Sequence, residues 1–422
     1  MVESSKLLFK ESPEELIYQM AYAPASVEKL LDTADGRGRI RRLTVPHLFF
    51  EIREFEDTQI QQLLPHITEE QWTGVLDLDL WSRDIVDTTA FISWARYIVK
   101  AEDAVARKLV RAIDPELWEL TFKREFQIHV GIDENEFDTD LSPQGGLKTP
   151  DGHFLIGLPL DSDKAQLTQS LILRLYELDP NYSAFLLNAC CEQTAVEIEE
   201  GAYQNKKRRV EDLGFQDYFD AIGIYTYRPE KWVLPKKKET PLRTISSQQL
   251  EPGAQDTEGL LLFQALGLIE QPLDRQILLE ELLFIGNKIA SADCVFPAEV
   301  DLVKKAIRKA ISGINLGLEC WSGGDLQKAA DGLIRHYLQS LFQVAYSRLM
   351  DLRRSVDILI SAGFQAEPGS FGEIFLESLI QDYPLLVELK EGKIHTRFFS
   401  TCGDLERAEQ HLGKIRHTYQ IL

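Results

Sequence analysis

Leu167, Leu171, Leu175 and Leu178 fall three and four residues apart. Leu341, Ala345, Leu349, Leu352, Val356 and Leu359 keep that spacing over about five turns. It places apolar side chains on one helix face. Strand-like alternation is rare. The best case is His153–Leu158, introduced by Pro150-Asp151-Gly152, with Phe126–Val130 upstream as its expected partner. Asp133–Thr149, an acidic loop with Gly and Pro, lies between them. The pattern predicts a mainly α protein. It combines α-solenoid-like helix pairs, a small β-hairpin excursion near residues 126–160, and a C-terminal helical domain.

A weak internal repeat supports the solenoid reading. Leu64-Pro65-His66-Ile67-Thr68-Glu69-Glu70-Gln71-Trp72 resembles Val110-Arg111-Ala112-Ile113-Asp114-Pro115-Glu116-Leu117-Trp118. Each places an apolar helix end before a Thr or Asp N-cap, then a new helix, and Pro115 suits the first helical position. Leu175–Pro180 is a third copy and Tyr22-Ala23-Pro24 a fainter one. Periods of about 40–47 residues suit stacked helix pairs. Reuse of one turn type without true repetition is the alternative.

Residues 229–255 break the helical pattern with Pro229, Pro235, Pro241 and Pro252, and carry Lys236-Lys237-Lys238 and Ser246-Ser247. Proline cannot continue a helix interior. The expected organisation is a helical domain over 1–228, a Pro-rich connector over 229–255 and a helical domain over 256–422. Within the last, Ser322-Gly323-Gly324-Asp325 ends one helix and caps the next, and Pro384 interrupts the pattern. A final helix follows Thr401, with Leu405, Ala408, Leu412 and Ile415 as its stripe.

Composition narrows the function classes. The 422 residues carry 46 Lys and Arg against 67 Asp and Glu, a formal charge of −21. A field of that sign repels polyanions, so general nucleic-acid binding is not expected. No stretch approaches the roughly 20 apolar residues of a membrane span. Leu260–Ile269 is broken by Gln264, and Met1–Lys10 lacks a signal-peptide pattern. The five cysteines are odd in number, two are adjacent and none forms C-x-x-C. That describes a cytoplasmic, disulfide-free chain without zinc spacing, with Cys190 and Cys191 as small buried hydrophobes.

Standard catalytic strings are missing: no G-x-S-x-G, no phosphate loop, no H-E-x-x-H and no E-x-x-H. Gly36-Arg37-Gly38 reaches Arg41, not glycine, at the sixth position. The acidic run from Asp133 places Phe137 and Asp138 where a calcium loop needs an oxygen ligand and glycine. The eight histidines are scattered. No metal and no cofactor are implied. Arg37, Arg39, Arg41 and Arg42 read as a solvated loop, with an anion contact as the alternative.

Two strings supply the candidate binding residues. Leu76-Asp77-Leu78-Asp79-Leu80-Trp81 fits neither a helix stripe nor a buried strand. Asp77 or Asp79 caps the following helix and Trp81 packs, or the string is an acidic recognition turn anchored by Trp81. Lys206-Lys207-Arg208-Arg209 follows Glu197, Glu199 and Glu200 on one expected helix. Acid early and base late suits the helix dipole and i,i+4 pairing; Arg208 and Arg209 as contact residues are the alternative.

Several strings resemble an uncharacterised bacterial family, a helical domain of unknown function common in deltaproteobacterial genomes. They are Gln71-Trp72 with Leu76–Trp81, Arg209–Tyr218 with Ala221 and Tyr225, Ser322–Asp325 with Phe342–Ser347, and Phe398-Phe399-Ser400 with Asp404–Ala408. They span about residues 60–410. The resemblance implies no activity and no site residues. Residues 20–120 more faintly resemble the superhelical cytoplasmic domain of magnesium transporters and the armadillo-like part of a flagellar switch protein. Those use helix pairs as regulatory or scaffolding surfaces.

The function expected is an interaction or regulatory scaffold binding an unidentified protein partner, with no oligomeric state specified. The alternative is an enzyme whose site is assembled from distant residues between the two halves.

Overall fold

Most helices begin where the sequence supplies a capping oxygen. The computed structural model describes residues 26–33, 35–130, 146–159, 161–237, 259–294, 300–390 and 392–418. Of these, 68% are helical, and the strands form only small sheets. The fold is mainly α with small β-hairpins. The chain forms two compact units, dividing after Asp217.

The N-terminal unit opens with α1 (Val27–Leu31), α2 (Gly36–Ile40), α3 (Val45–Glu54), α4 (Asp57–Leu63) and α5 (Glu69–Asp79). Thr68 caps α5 as expected. Its hydroxyl accepts from the Gln71 amide at 3.1 Å, while the Gln71 side chain accepts from the Thr68 amide at 2.9 Å. Gln71 is itself buried, and its amide group donates to the carbonyls of Ile40 and Leu43. One side chain thus starts a helix and ties it to the segment after α2.

A two-residue hairpin, β1 (Trp81–Ser82) with β2 (Ile85–Val86), leads into α6 (Thr88–Lys100), α7 (Asp103–Ala112) and α8 (Pro115–Glu125). Pro115 occupies the first turn of α8. Asp114 stands at the N-cap position but makes no capping bond; its carboxylate pairs with Arg209 at 2.7 Å instead. Here an ion pair displaces the expected cap.

The expected β-excursion is present. β3 (Gln127–Val130) and β4 (Gly146–Lys148) both pair antiparallel with β5 (Phe154–Gly157), giving the order β3-β5-β4. β5 is central and fully buried. The proposed partnership of 126–130 with 153–158 is realised with Ile128 opposite Ile156; the third strand was not foreseen. Most of the intervening acidic loop, including its rejected calcium pattern, lies outside the described residues.

The unit closes with α9 (Ser162–Leu178), α10 (Pro180–Glu192) and α11 (Ala195–Asp212). In α9, Leu171, Leu175 and Leu178 are buried and Leu167 half-buried. Asp179 caps α10 through the Tyr182 amide. α8 is the hub: α6, α10, α11 and β3 all pack on it. Its Trp118 is fully buried, edge-on to Phe91 of α6 with centroids 4.8 Å apart.

The C-terminal unit begins with α12 (Tyr218–Ala221) and a 3₁₀ turn, Ile222–Tyr225. It continues through α13 (Leu261–Gly267), α14 (Pro272–Ala292), α15 (Val300–Ser322), α16 (Leu326–Arg335) and α17 (Leu338–Ser361). Asp325 caps α16 through the Lys328 amide. The first part of the Pro-rich stretch runs along these helices. Lys237 donates its amide to the Arg335 carbonyl at 2.7 Å and its ammonium pairs with Glu281. Residues 238–258 lie outside the described residues.

α15 is the hub here, contacted by α13, α14, α16 and α17, and buried almost continuously from Lys309 to Leu318. The stripe Leu341 to Leu359 of α17 is entirely buried. Two glycines permit the close approach. A Cβ on Gly313 would lie 2.5 Å from the Phe342 ring, and one on Gly317 would lie 1.9 Å from the Leu341 carbonyl oxygen.

The chain ends with α18 (Phe371–Leu379), an antiparallel hairpin of β6 (Leu385–Lys390) and β7 (Lys393–Phe398), and α19 (Cys402–Thr418). Of the expected stripe, Leu405, Ala408 and Leu412 are buried and Ile415 half-buried.

Gly317→Ala should lower the melting temperature by the equivalent of about 1–3 kcal/mol or more, because backbone must move. Gly413→Ala, in α19 with open space at its Cβ, should instead stabilise by up to about 1 kcal/mol. Paired thermal melts check this; equal effects at the two positions would refute the close crossing.

Candidate functional site

Both nominated strings converge in the N-terminal unit. α5 continues through Asp79, so Asp77 and Asp79 occupy its last turn, where helix carbonyls disfavour negative charge. Neither caps the next helix. The hairpin intervenes, and Asp87 caps α6 by accepting from the Ala90 amide at 2.8 Å. The string is helical after all, its carboxylates held by cations from elsewhere.

Asp77 is 4% exposed and receives Arg209 in a fork: Nε at 2.6 Å and Nη2 at 2.9 Å. Arg209 also reaches Asp114, so α11 clasps α5 and the start of α8 through one guanidinium. Asp79 accepts from Arg53 at 2.9 Å and from the Trp94 indole at 2.7 Å. Trp81 is buried, with its ring 6.1 Å from that of Tyr203, and the Lys206 ammonium lies 5.7 Å from both rings.

The expected i,i+4 pairing along α11 is therefore replaced. Lys206 and Arg209 turn inward to Trp81 and Asp77. Glu199 pairs with Arg124 at 2.7 Å, and Glu197 completes a capping box with Thr194. Burial, which disfavours charge more than pairing with Arg209 restores it, pushes the Asp77 carboxyl up to about 6. It remains ionised at neutral pH. The same carboxylates hold Arg209 firmly in its charged form. Of the five nominated residues, Arg208 alone is exposed and outside the network.

A second polar cluster, which no local string announced, lies in the C-terminal unit. The Lys309 ammonium of α15 contacts both Asp293 carboxylate oxygens, at 2.8 and 3.1 Å. It lies 4.7 Å from the Tyr225 ring centroid and 4.4 Å from that of Tyr383. The Tyr225 hydroxyl donates to Asp293 at 2.5 Å. The Tyr383 hydroxyl is buried with no hydrogen-bond partner. Burial lowers the proton affinity of Lys309 and raises that of both tyrosines. An amine so placed between aromatic walls and a carboxylate has the elements of a carbonyl-condensing group. The four residues come from widely separated segments. Only Tyr225 fell within a string singled out in the sequence.

Among the described residues, no group of three or more His, Cys, Asp or Glu side chains is placed to hold a metal ion. No helix among them is long and apolar enough to cross a membrane.

The strings that carry these clusters lie inside one family model, which matches residues 8–422. The chain belongs to DUF6178, a family of unknown function. No curated protein and no solved structure matches it. Membership of DUF6178 agrees with the resemblance drawn from the Leu76–Trp81 and Arg209–Tyr218 strings, and it assigns no chemistry to either cluster.

Asp77 gives DUF6178 residues a testable pH signature. Its folded pKa lies above its unfolded value, so its contribution is fully present below about pH 4 and is lost as pH rises through about 6. Relative to Asp77→Asn, the wild type should gain on the order of 1 kcal/mol between pH 7 and pH 5. Urea melts of both proteins at the two pH values measure this. A gap that is constant, or that shifts toward the variant at pH 5, would contradict the assignment.

Proposed function

We propose that this chain is a cytoplasmic interaction or regulatory scaffold that binds a protein partner through its helical N-terminal unit. The observation that carries the reading is an aromatic pair on α10, half-buried Tyr182 and exposed Phe185. Tyr182 and Phe185 stack with centroids 6.2 Å apart, and Phe185 is 54% exposed. Rigid aromatics at a surface are typical anchors of protein interfaces. The charge around Tyr182 is acidic: burial first, then Glu119, Glu116, Asp114 and Asp179, push its hydroxyl up to about 12. Across the chain the charge is −21. The complementary partner presents an apolar side chain flanked by basic residues. The helix-pair repeat and solenoid form proposed from the sequence would suit such a surface. Arg208 is a further open contact candidate.

Phe185→Ser should melt like the wild type and lose a partner that wild-type protein retains from native lysate. That partner should be basic and should elute as salt is raised. Identical retained sets for the two proteins would count against the reading.

A second reading, an enzyme, draws on the Tyr225–Asp293–Lys309–Tyr383 cluster. It differs from the alternative expected from sequence in that all four residues lie in one unit. If Lys309 condenses with carbonyl substrates, a short-chain aldehyde with cyanoborohydride should modify Lys309 ahead of the exposed lysines. Peptide mapping that finds Lys309 unmodified while surface lysines react would exclude it.

A further inference from the structure

All five cysteines are free thiols, as the sequence suggested. Two of them, 82 positions apart, are nevertheless brought together: Cys320 Sγ and Cys402 Sγ lie 3.3 Å apart. Cys320 is near the C-terminal end of α15. Cys402 is the first residue of α19, and the two helices pack on each other. Their meeting is built, not incidental. The Cys402 amide donates at 2.8 Å to Glu319, the residue before Cys320. Thr401 and Asp404 bond reciprocally across the first turn of α19, fixing where that turn begins. Asn315 of α15 donates at 2.7 Å to the Ser400 carbonyl, a second tie to the same turn. Both cysteines are partly exposed, so a small oxidant can reach them.

We propose that Cys320 and Cys402 form an oxidation site that a hydroperoxide converts to an intrachain disulfide. Cys402 is the attacking sulfur and Cys320 the resolving one. Either sulfur can donate in the contact between them; with Cys320 as donor, the Cys402 thiolate is favoured and its proton affinity lowered. The same interaction holds the proton on Cys320. Arg348 assists Cys402, whereas Glu319 and Glu406 oppose it. Position at a helix N-terminus adds to the preference for a thiolate.

The chemistry balances in two steps. The Cys402 thiolate attacks one peroxide oxygen; an S–O bond forms, the O–O bond breaks, and the departing hydroxide takes a proton to become water. Cys402 is then a sulfenic acid. Its sulfur no longer carries the anion that kept the proton on Cys320. Cys320 loses that proton and attacks the Cys402 sulfur. The S–S bond forms, and the sulfenic hydroxyl leaves as a second water. Two thiols lose two electrons and the peroxide gains them. The sulfurs must close from 3.3 Å to about 2.0 Å. The product staples the end of α15 to the start of α19 and so encloses α16, α17, α18 and the β6–β7 hairpin in one covalent loop.

The test uses the full chain, folded and reduced, with equimolar hydrogen peroxide as probe. After quenching, the protein is denatured, alkylated with iodoacetamide and mapped by mass spectrometry without reduction. Reduced protein should carry five adducts. Oxidised monomer should carry three, with loss of two hydrogens and one linked peptide joining Cys320 to Cys402, reversed by dithiothreitol. Cys320→Ser should stop at a sulfenic acid on Cys402 that dimedone traps. Cys402→Ser should leave Cys320 far slower to react. Five adducts after peroxide would overturn the proposal. So would oxidation confined to Cys191 or Cys294, or a bridge between any other pair. Equal dimedone labelling of Cys320 in Cys402→Ser and of Cys402 in Cys320→Ser would overturn the assignment of roles.

Discussion

Asp77 sits where a carboxylate is least welcome, out of water and at the carbonyl end of a helix, and Arg209 is what lets it stay. Removing a charge from water costs several kcal/mol unless a counter-charge meets it with good geometry. The forked contact supplies that geometry, and the second carboxylate, Asp114, meets the same Nη2 at 2.7 Å. The arrangement fixes three elements at once. α5 must end beside α11, α8 must start beside both, and Asp114 must give up its capping bond to take part. Lys206 then has its place set by the same helix turn, over Trp81. The N-terminal unit is organised around one guanidinium as much as around the Trp118 core. Pairing of this kind specifies position more than it adds stability, since an apolar substitute of equal shape would avoid the desolvation cost.

How much of this was legible follows the range of each interaction. Caps are local: Thr68, Asp179 and Asp325 announce their helices within three residues, and the structure bears them out. Stripes are local too, so the buried faces of α9, α17 and α19 could be read directly. The Asp77–Arg209 pair spans 132 positions. Both strings looked unusual, but no spacing rule joins residues so far apart. Read separately, each received a local explanation, a cap for one and i,i+4 pairs for the other, and both explanations yielded to the tertiary contact. The β6–β7 hairpin failed for a different reason. β7 is exposed at most positions, so burial imposes no alternation on it. What marks the turn is Gly392, whose φ of +76° other residues rarely adopt. The Cys320–Cys402 pair spans 82 positions, and the Lys309–Asp293 pair, 16 positions apart, gains Tyr225 and Tyr383 only through the fold.

The two units resolve buried carboxylates in opposite senses. Asp404, like Asp77, is almost closed to solvent, but it lies in the first turn of its helix, where the dipole favours it. It accepts from the backbone amides of Ser400 and Thr401, from both terminal nitrogens of Arg397 and from Arg407. Its proton affinity falls well below the usual carboxylate range, whereas that of Asp77 rises. The stability Asp404 contributes is therefore present above its unfolded pKa and is lost as pH falls, while that of Asp77 grows as pH falls. The difference comes from donor count and helix end, together with the deeper burial of Asp77 among protein atoms. Acid should thus relieve the burial of the Asp77 charge by protonating it, with loss of its ion pair to Arg209, while weakening the turn that positions Cys402. The site nominated from sequence and the thiol pair found in the structure rest on electrostatics of opposite sign.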